Sequence, residues 1–342
     1  MSHRPSTILI VGATGSIGRY AVAEARQHGY AVRALVRDQT RAARILPDGV
    51  DLVVGDLTRP ETLGPAVDGA DAIVFTHGTT TSERDVRDND YTGVANVIKA
   101  LGGRRTRIAL MTAVGTTRPG VAYAQWKLRS ERLIRASGNP YTIVRPGWFD
   151  YNQPDQRKIV MLQGDRRQSG SPADGVIARD QIARVLIDSL HNDAADHKTL
   201  ELVADYGPDQ DDLTSLFTSL TPDSVESLDA AEDIVDVPTE SEPEMFRDDL
   251  ASTGLATGAL DIYDRYYIEP IHPRGEEGGD AVTNRRASAY VPFGHHRALA
   301  FRPAGRGVGS DGPFLFRLRG PRPARVFRSC RMSRESSSRG SL

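Results

Sequence analysis

The 342-residue chain has one cysteine, Cys330. A disulfide within the chain is therefore excluded, and a reducing, cytoplasmic setting is expected. Lysine is almost as scarce: only four of the 43 basic residues, so arginine carries nearly all the positive charge. Nowhere do about 18 apolar residues run together, the length a membrane-spanning helix requires. The N-terminal Met1-Ser-His-Arg-Pro-Ser leads straight into an apolar run, so no secretory leader is expected. No His/Cys cluster has metal-ligand spacing, so no metal is expected. There is no Gly-x-Ser-x-Gly nucleophile elbow. The hydrophobic fraction is a modest 39%, so part of the chain is expected not to pack.

What the chain does have is glycine in one telling place. Thr7-Ile-Leu-Ile-Val is an apolar β-type run, followed by Gly12, Gly15 and Gly18, with a helical pattern over Ser16–His28. A strand turning sharply into a helix gathers bare backbone N–H groups and the positive end of the helix dipole at one spot, which suits a pyrophosphate. The glycines permit the tight turn, the approach of the phosphates and close helix–strand packing. Gly-x-x-Gly-x-x-Gly is a variant of the dinucleotide fingerprint. The expected cofactor-binding residues of this loop are Gly12, Thr14, Gly15, Ser16, Ile17 and Gly18.

Beyond the loop, apolar β-like runs alternate with helical patterns, which predicts a Rossmann-type, doubly wound parallel α/β sheet. Strands are predicted at 7–11, 31–36, 51–54, 72–76, 107–111, 141–144 and 199–203, and a short one at 157–163. Helices are predicted at 16–28, 40–45, 59–67, 88–101, 125–137, 178–190 and 212–220, with Asp180 as an N-cap. Gly29, Gly102 and Gly138 stand just past helices, where a left-handed residue is needed. Residues 1–150 read as the nucleotide-binding core and 151–270 as a region that completes the same domain and forms the substrate pocket. Within it, the Asp- and Glu-rich stretch 221–250 reads as a solvated helix with loops. Residues 271–342 read as a disordered tail. That tail carries fourteen arginines against five acids, so the body is acidic and nucleic acid an unlikely partner for it.

The second strand ends in Arg37, nineteen residues past Gly18. An acidic side chain there hydrogen-bonds the ribose of NAD, whereas a basic one neutralises the 2′-phosphate of NADP. The planar fork of Arg37 favours NADP, with Arg41 able to assist. A surface pair between Arg37 and Asp38 is the competing reading.

With these residues in hand, the chain resembles the atypical, NmrA-like NAD(P)H-binding branch of the short-chain dehydrogenase/reductase superfamily. The matching segments are Val11-Gly-Ala-Thr-Gly-Ser-Ile-Gly18, Val36-Arg-Asp38, Gly55-Asp-Leu57, Leu110-Met-Thr-Ala-Val-Gly115, Trp126-Lys127 through Glu131, and Ser137-Gly-Asn-Pro-Tyr-Thr-Ile-Val-Arg-Pro-Gly147. The resemblance implies that Asp56 and Leu57 hold the adenine, that Gly78 lies beside the cofactor, and that Arg145, Pro146 and Gly147 pass close to the nicotinamide. It also implies that the helices at 88–101 and 125–137 are available for pairing into a homodimer.

In active members of that family a Tyr-x-x-x-Lys pair delivers the proton while the cofactor delivers hydride. Tyr123 and Lys127 match it. Residues i and i+4 share a helix face, so the ammonium can reach the phenol and the nicotinamide ribose and lower the phenol pKa. The usual carbonyl-polarising serine is missing; Thr112 is the candidate hydroxyl, with Thr116 behind it. His77, Trp148 and Phe149 are expected to line the substrate pocket, against the plainer reading of loop hydrogen bonding and core packing. These features predict an NADP(H)-dependent oxidoreductase acting on a small carbonyl, quinone or similar acceptor. A non-catalytic NADP(H)-sensing regulator is the second reading, and a nucleotide-sugar epimerase or dehydratase the third.

Overall fold

The computed structural model describes residues 6–79, 81–235 and 237–253. Strands β1 (Thr7–Val11), β2 (Ala31–Val36), β3 (Asp51–Val54), β4 (Ala72–Phe75), β5 (Arg107–Met111) and β6 (Tyr141–Pro146) alternate with helices α1 (Gly18–Gln27), α2 (Gln39–Ala43), α3 (Gly64–Val67), α4 (Glu83–Asp85), α5 (Thr92–Leu101) and α6 (Ala122–Ala136). Then follow β7 (Trp148–Phe149), β8 (Lys158–Leu162), β9 (Val176–Ile177), α7 (Arg179–Asp188), β10 (Lys198–Asp205), α8 (Thr214–Ser219) and α9 (Glu244–Ser252).

The eight-stranded sheet has the order β3-β2-β1-β4-β5-β6-β10-β8. All neighbours are parallel except β8, which runs antiparallel to β10. β1 is apolar throughout because both its faces are covered. Ile8 and Ile10 pack in the layer that includes Ala21, Val22 and Ile182 of α1 and α7, and Leu9 and Val11 in the layer of Ala66, Val94 and Val97 of α3 and α5. The strand order reverses between β1 and β4. A doubly wound sheet leaves its crevice beyond the strand ends at that switch point.

The predicted strands and most helices stand within two or three residues of their expected bounds, and Gly29, Gly102 and Gly138 all have positive φ. Three expectations of helix bounds and caps need correction. The helix expected over 59–67 is a 3₁₀ turn at Pro60–Thr62 followed by α3. Pro65 has no amide hydrogen and can stand only in a helix's first turn, so a second helix must begin there. The helix expected at 88–101 opens as a π turn, Val86–Tyr91, before α5. Ala178, not Asp180, is the N-cap of α7.

The acidic stretch 221–250 is only in part the expected solvated helix with loops: many of its residues are exposed and its end is helical, but several of its acids are not solvated. Before α9 it is an irregular strap whose Asp223 and Glu242 are buried, and in α9 itself Asp249 is buried. The strap lies over α6, whose Arg129, Arg132 and Arg135 are buried too. Glu242 accepts from Arg129 (2.6 Å) and Arg132 (2.6 Å), Asp229 from Arg132 (2.7 Å), and Asp223 from Arg135 (3.4 Å). Buried guanidinium groups require counterions, and the strap provides them. The expected tail, 271–342, and Cys330 lie outside the described residues. Among the described residues no helix is long and apolar enough to cross a membrane.

Candidate functional site

The loop joining β1 to α1 is built from approaches only glycine allows. Gly12 has φ +83°, and a Cβ on it would lie 2.8 Å from the backbone nitrogen of His77. A Cβ on Gly18 would press into the carbonyl oxygen of Gly12 and stand 2.8 Å from Ala13 Cα. The Gly15 amide donates to the Gly12 carbonyl (2.8 Å), closing the turn. Thr14, Gly15 and Ser16 form its exposed tip, while Ile17 and Gly18 are buried. No side chain caps α1 and its first turn holds no acid. Its leading amides and dipole are thus turned to an anion that the described residues do not provide, and a cofactor pyrophosphate fits this cradle.

Arg37 is exposed at the end of β2 and makes no ion pair among the described residues. The Asp38 carboxylate instead accepts from the Arg41 amide (2.9 Å) and caps α2, so the Arg37–Asp38 pairing does not form. Asp56 uses its side chain to accept from the amide (2.9 Å) and hydroxyl (2.8 Å) of Thr58. These bonds, with the nearby Arg37 and Arg59, hold its carboxyl below the ordinary range against the opposing effect of burial. Leu57 packs over Gly93, and its carbonyl accepts from Asn96 (2.7 Å).

At the ends of β4 and β5 the sequence and the structure diverge. Lys127 is buried and its ammonium donates to Asp90, which also accepts from the Thr79 amide (3.1 Å). Asp90 sits in the π turn, whose extra residue sets its side chain toward α6. Lys127 Nζ lies 3.5 Å from where a Cβ on Gly78 would stand. His77 shares this pocket with Asp90, Thr112, Lys127 and Ser130. Its Nε2 bonds the Asn89 carbonyl (3.1 Å), and its buried Nδ1 has no partner among the described residues. Burial lowers the His77 pKa and Lys127 adds to this, while Asp90 opposes it, so the ring is neutral at pH 7.

Tyr123 stands in the first turn of α6, 42% exposed, with no hydrogen bond to Lys127. The Thr112 hydroxyl donates to Glu131 (2.7 Å). Arg145 is fully buried, forked onto Glu131 (2.6 and 3.0 Å) and Asp233 (2.7 and 2.9 Å). Its guanidinium is committed to the interior and is not offered at the crevice. Pro146 ends β6, and a Cβ on Gly147 would lie 2.5 Å from the Gly175 carbonyl oxygen. Gly147 is thus required by the approach of the small β7–β9 sheet, in which Trp148 and Phe149 are half-buried.

Glu201 of β10 faces this network, 3.9 Å from Arg145. Burial pushes its pKa up to about 7, with Asp165 adding and Arg145 opposing. A carboxyl whose folded pKa exceeds the unfolded value stabilises the fold below pH 4.5, and that contribution disappears as pH rises to about 7. Glu201→Gln should match the parent near pH 4.5 and exceed its stability at pH 8 by about 1–3 kcal/mol. Denaturant unfolding of both at the two pH values checks it; equal differences at both would refute the assignment.

Arg179, the first residue of α7, was not among the expected site residues. Its Nε donates to Ser16 Oγ (3.2 Å) in the glycine loop, its guanidinium carbon lies 5.3 Å from the Phe149 ring centre, and Asp150 pairs with it. Asp150, in left-handed conformation, also accepts from the Arg179 amide (3.0 Å). No local motif marks Arg179; only the packing of α7 against α1 brings it to the loop.

Residues 12–193 match the NAD(P)H-binding family. The chain belongs to that family. It is 29% identical over 160 residues to the photosystem II assembly factor Ycf39 of Trieres chinensis, an alignment covering 46% of this chain and 50% of that one. It is 28% identical over 224 residues to the isoflavone reductase homolog A622 of Nicotiana tabacum, covering 58% and 68%. A putative NAD-dependent epimerase/dehydratase from Bacillus halodurans superposes with a TM-score of 0.53 at 23% identity, over 63% of this chain and 100% of that one. At that identity the likeness is one of fold. The chain spans half the length of the Ycf39 relative.

Proposed function

We propose that this NAD(P)H-binding chain is an NADP(H)-dependent reductase of a small carbonyl, quinone or similar acceptor. The observation that carries the choice of NADP is Arg37, exposed at the end of β2 and without an ion-pair partner among the described residues. Arg179, poised on Ser16, adds a second guanidinium at the phosphate loop. Gly12 through Gly18 would hold the pyrophosphate, Arg37 the 2′-phosphate, Asp56 and Leu57 the adenine, and Lys127 the nicotinamide ribose. Gly78 and the backbone of 145–147 would border the ring. When bound, the nicotinamide supplies hydride. Tyr123, at the rim of α6, gives the proton to the acceptor oxygen, and Asp90 fixes Lys127 in place. Thr112 spends its proton on Glu131, so it does not polarise the acceptor. His77, Trp148 and Phe149 would border the acceptor.

One observation favours a second reading, a binding protein that senses NADP(H) without turnover: Tyr123 makes no hydrogen bond to Lys127, and Lys127 is already paired with Asp90. Titration with NADPH and NADH, followed by turnover against carbonyl and quinone acceptors, separates the two. Arg37→Ala should weaken NADPH about 10–100-fold and leave NADH nearly unchanged, the usual weight of a charge-assisted bond to phosphate. Equal losses for both cofactors would rule out the 2′-phosphate role. Tyr123→Phe should lower turnover at least about 100-fold without altering NADPH affinity, the scale of general acid catalysis. A wild-type chain that binds NADPH tightly and reduces no acceptor supports the sensor.

A further inference from the structure

Helices α1 and α7 begin together at the glycine loop, and they also end together. His28 follows the last residue of α1, Asp188 is the last residue of α7, and His191 stands three residues further on. Their donor atoms all lie within 4.8 Å of one another. We propose that His28, Asp188 and His191 form a zinc site at the C-terminal ends of α1 and α7, away from the cofactor loop.

Imidazole and carboxylate in this ratio suit a divalent transition metal, with water or a further carboxylate completing the shell. Glu24 Oε1, 3.3 Å from His28 Nε2, is within reach as that fourth ligand. Tetrahedral zinc holds neighbouring donors about 3.3–3.5 Å apart, as its bond lengths of about 2.0–2.1 Å require. Small side-chain rotations close the present separation to that value. The Tyr30 hydroxyl bonds His191 Nδ1 (3.0 Å), the kind of outer partner that orients a metal-binding imidazole. Asp188 keeps His28 Nε2 at 3.5 Å from its Oδ1, with Arg184 on Oδ2 at 3.5 Å. Two helix C-termini converge here and favour a cation. Asp193, Asp211 and Asp212 line the same cavity and add negative charge.

The donors come from positions 28, 188 and 191, so no local spacing in the sequence reveals them. A metal there would tie the ends of α1 and α7 together, about 15 Å from the glycine loop by the rise of a ten-residue helix. This inference is independent of which cofactor the loop takes.

The test uses the full chain, stripped with a chelator, titrated with zinc and separately with cobalt. One zinc per chain is expected, together with the visible absorption of tetrahedral cobalt. Saturating zinc at a hundredfold excess over Kd should raise the melting temperature by about 5–10 °C. His28→Gln and His191→Gln should each weaken zinc at least tenfold and abolish the cobalt band, and Asp188→Asn should do the same. Tyr30→Phe should weaken zinc about 10–100-fold. Circular dichroism and NADPH affinity confirm that each variant is folded. No uptake by the parent overturns the proposal. So does uptake that survives all three ligand substitutions, which would place the metal elsewhere in the chain.

Discussion

Gly18→Ala should cost the chain its cofactor. The added methyl meets the Gly12 carbonyl oxygen and Ala13 Cα, all backbone, so the loop must open before the helix can seat. Overpacking of this kind destabilises by about 1–3 kcal/mol. Because the same displacement spreads the amides that face the phosphates, NADPH affinity should fall by more than about tenfold, each factor of ten being about 1.4 kcal/mol. Gly15→Ala is the comparison: its Cβ lies 3.0 Å from the same oxygen, at the exposed tip. It should fold normally and lose less. Calorimetric titration of both variants decides the matter. If Gly18→Ala binds NADPH as the parent does, the cradle described here is not where the phosphates sit.

Arg145→Met should be the most destabilising substitution in the second half of the sheet. Burial works against ionisation of Glu131, but Arg145 and Arg135 outweigh it and hold that carboxyl below its ordinary range. Removing Arg145 leaves Glu131 and Asp233 facing each other without their shared cation. Breaking a buried pair in this way costs about 3–5 kcal/mol, and so about 6–20 °C in melting temperature for a domain of this size. The loss should shrink toward pH 5 as the carboxyls take up protons. Adding Glu131→Gln to Arg145→Met should restore part of it, because the two positions are in contact and do not add. Thermal unfolding of the two single variants and the double variant gives the coupling; a drop below about 1 kcal/mol for Arg145→Met would show the network to be dispensable.

The sequence reading succeeded where local pattern and fold coincide. Largely apolar runs suit interior parallel strands, and Gly29, Gly102 and Gly138 suit left-handed stops after three of the helices, so the positions of β1 to β6 were legible residue by residue. It failed where a side chain's partner lies far away in the chain. Arg145, in a motif that resembles a cofactor-binding segment, is held by carboxylates 14 and 88 positions away. The acidic strap looked solvated because its counterions sit a hundred residues earlier, on α6.

The chain alone determined that a strand and helix meet at a glycine turn, that the strands joined by helices form a parallel sheet, and that an arginine ends the second strand. These follow from periodicity, from the conformational freedom of glycine and from the size and charge of a side chain, all local properties. Only the tertiary structure decided which charges are spent and which remain available. Lys127 pairs with Asp90, Thr112 with Glu131 and Arg145 with two acids, while Arg37 has no ion-pair partner among the described residues and Arg179, although paired with Asp150, reaches the loop. Coulomb attraction and desolvation depend on distance and burial in space, and neither is written in the spacing of residues along the chain.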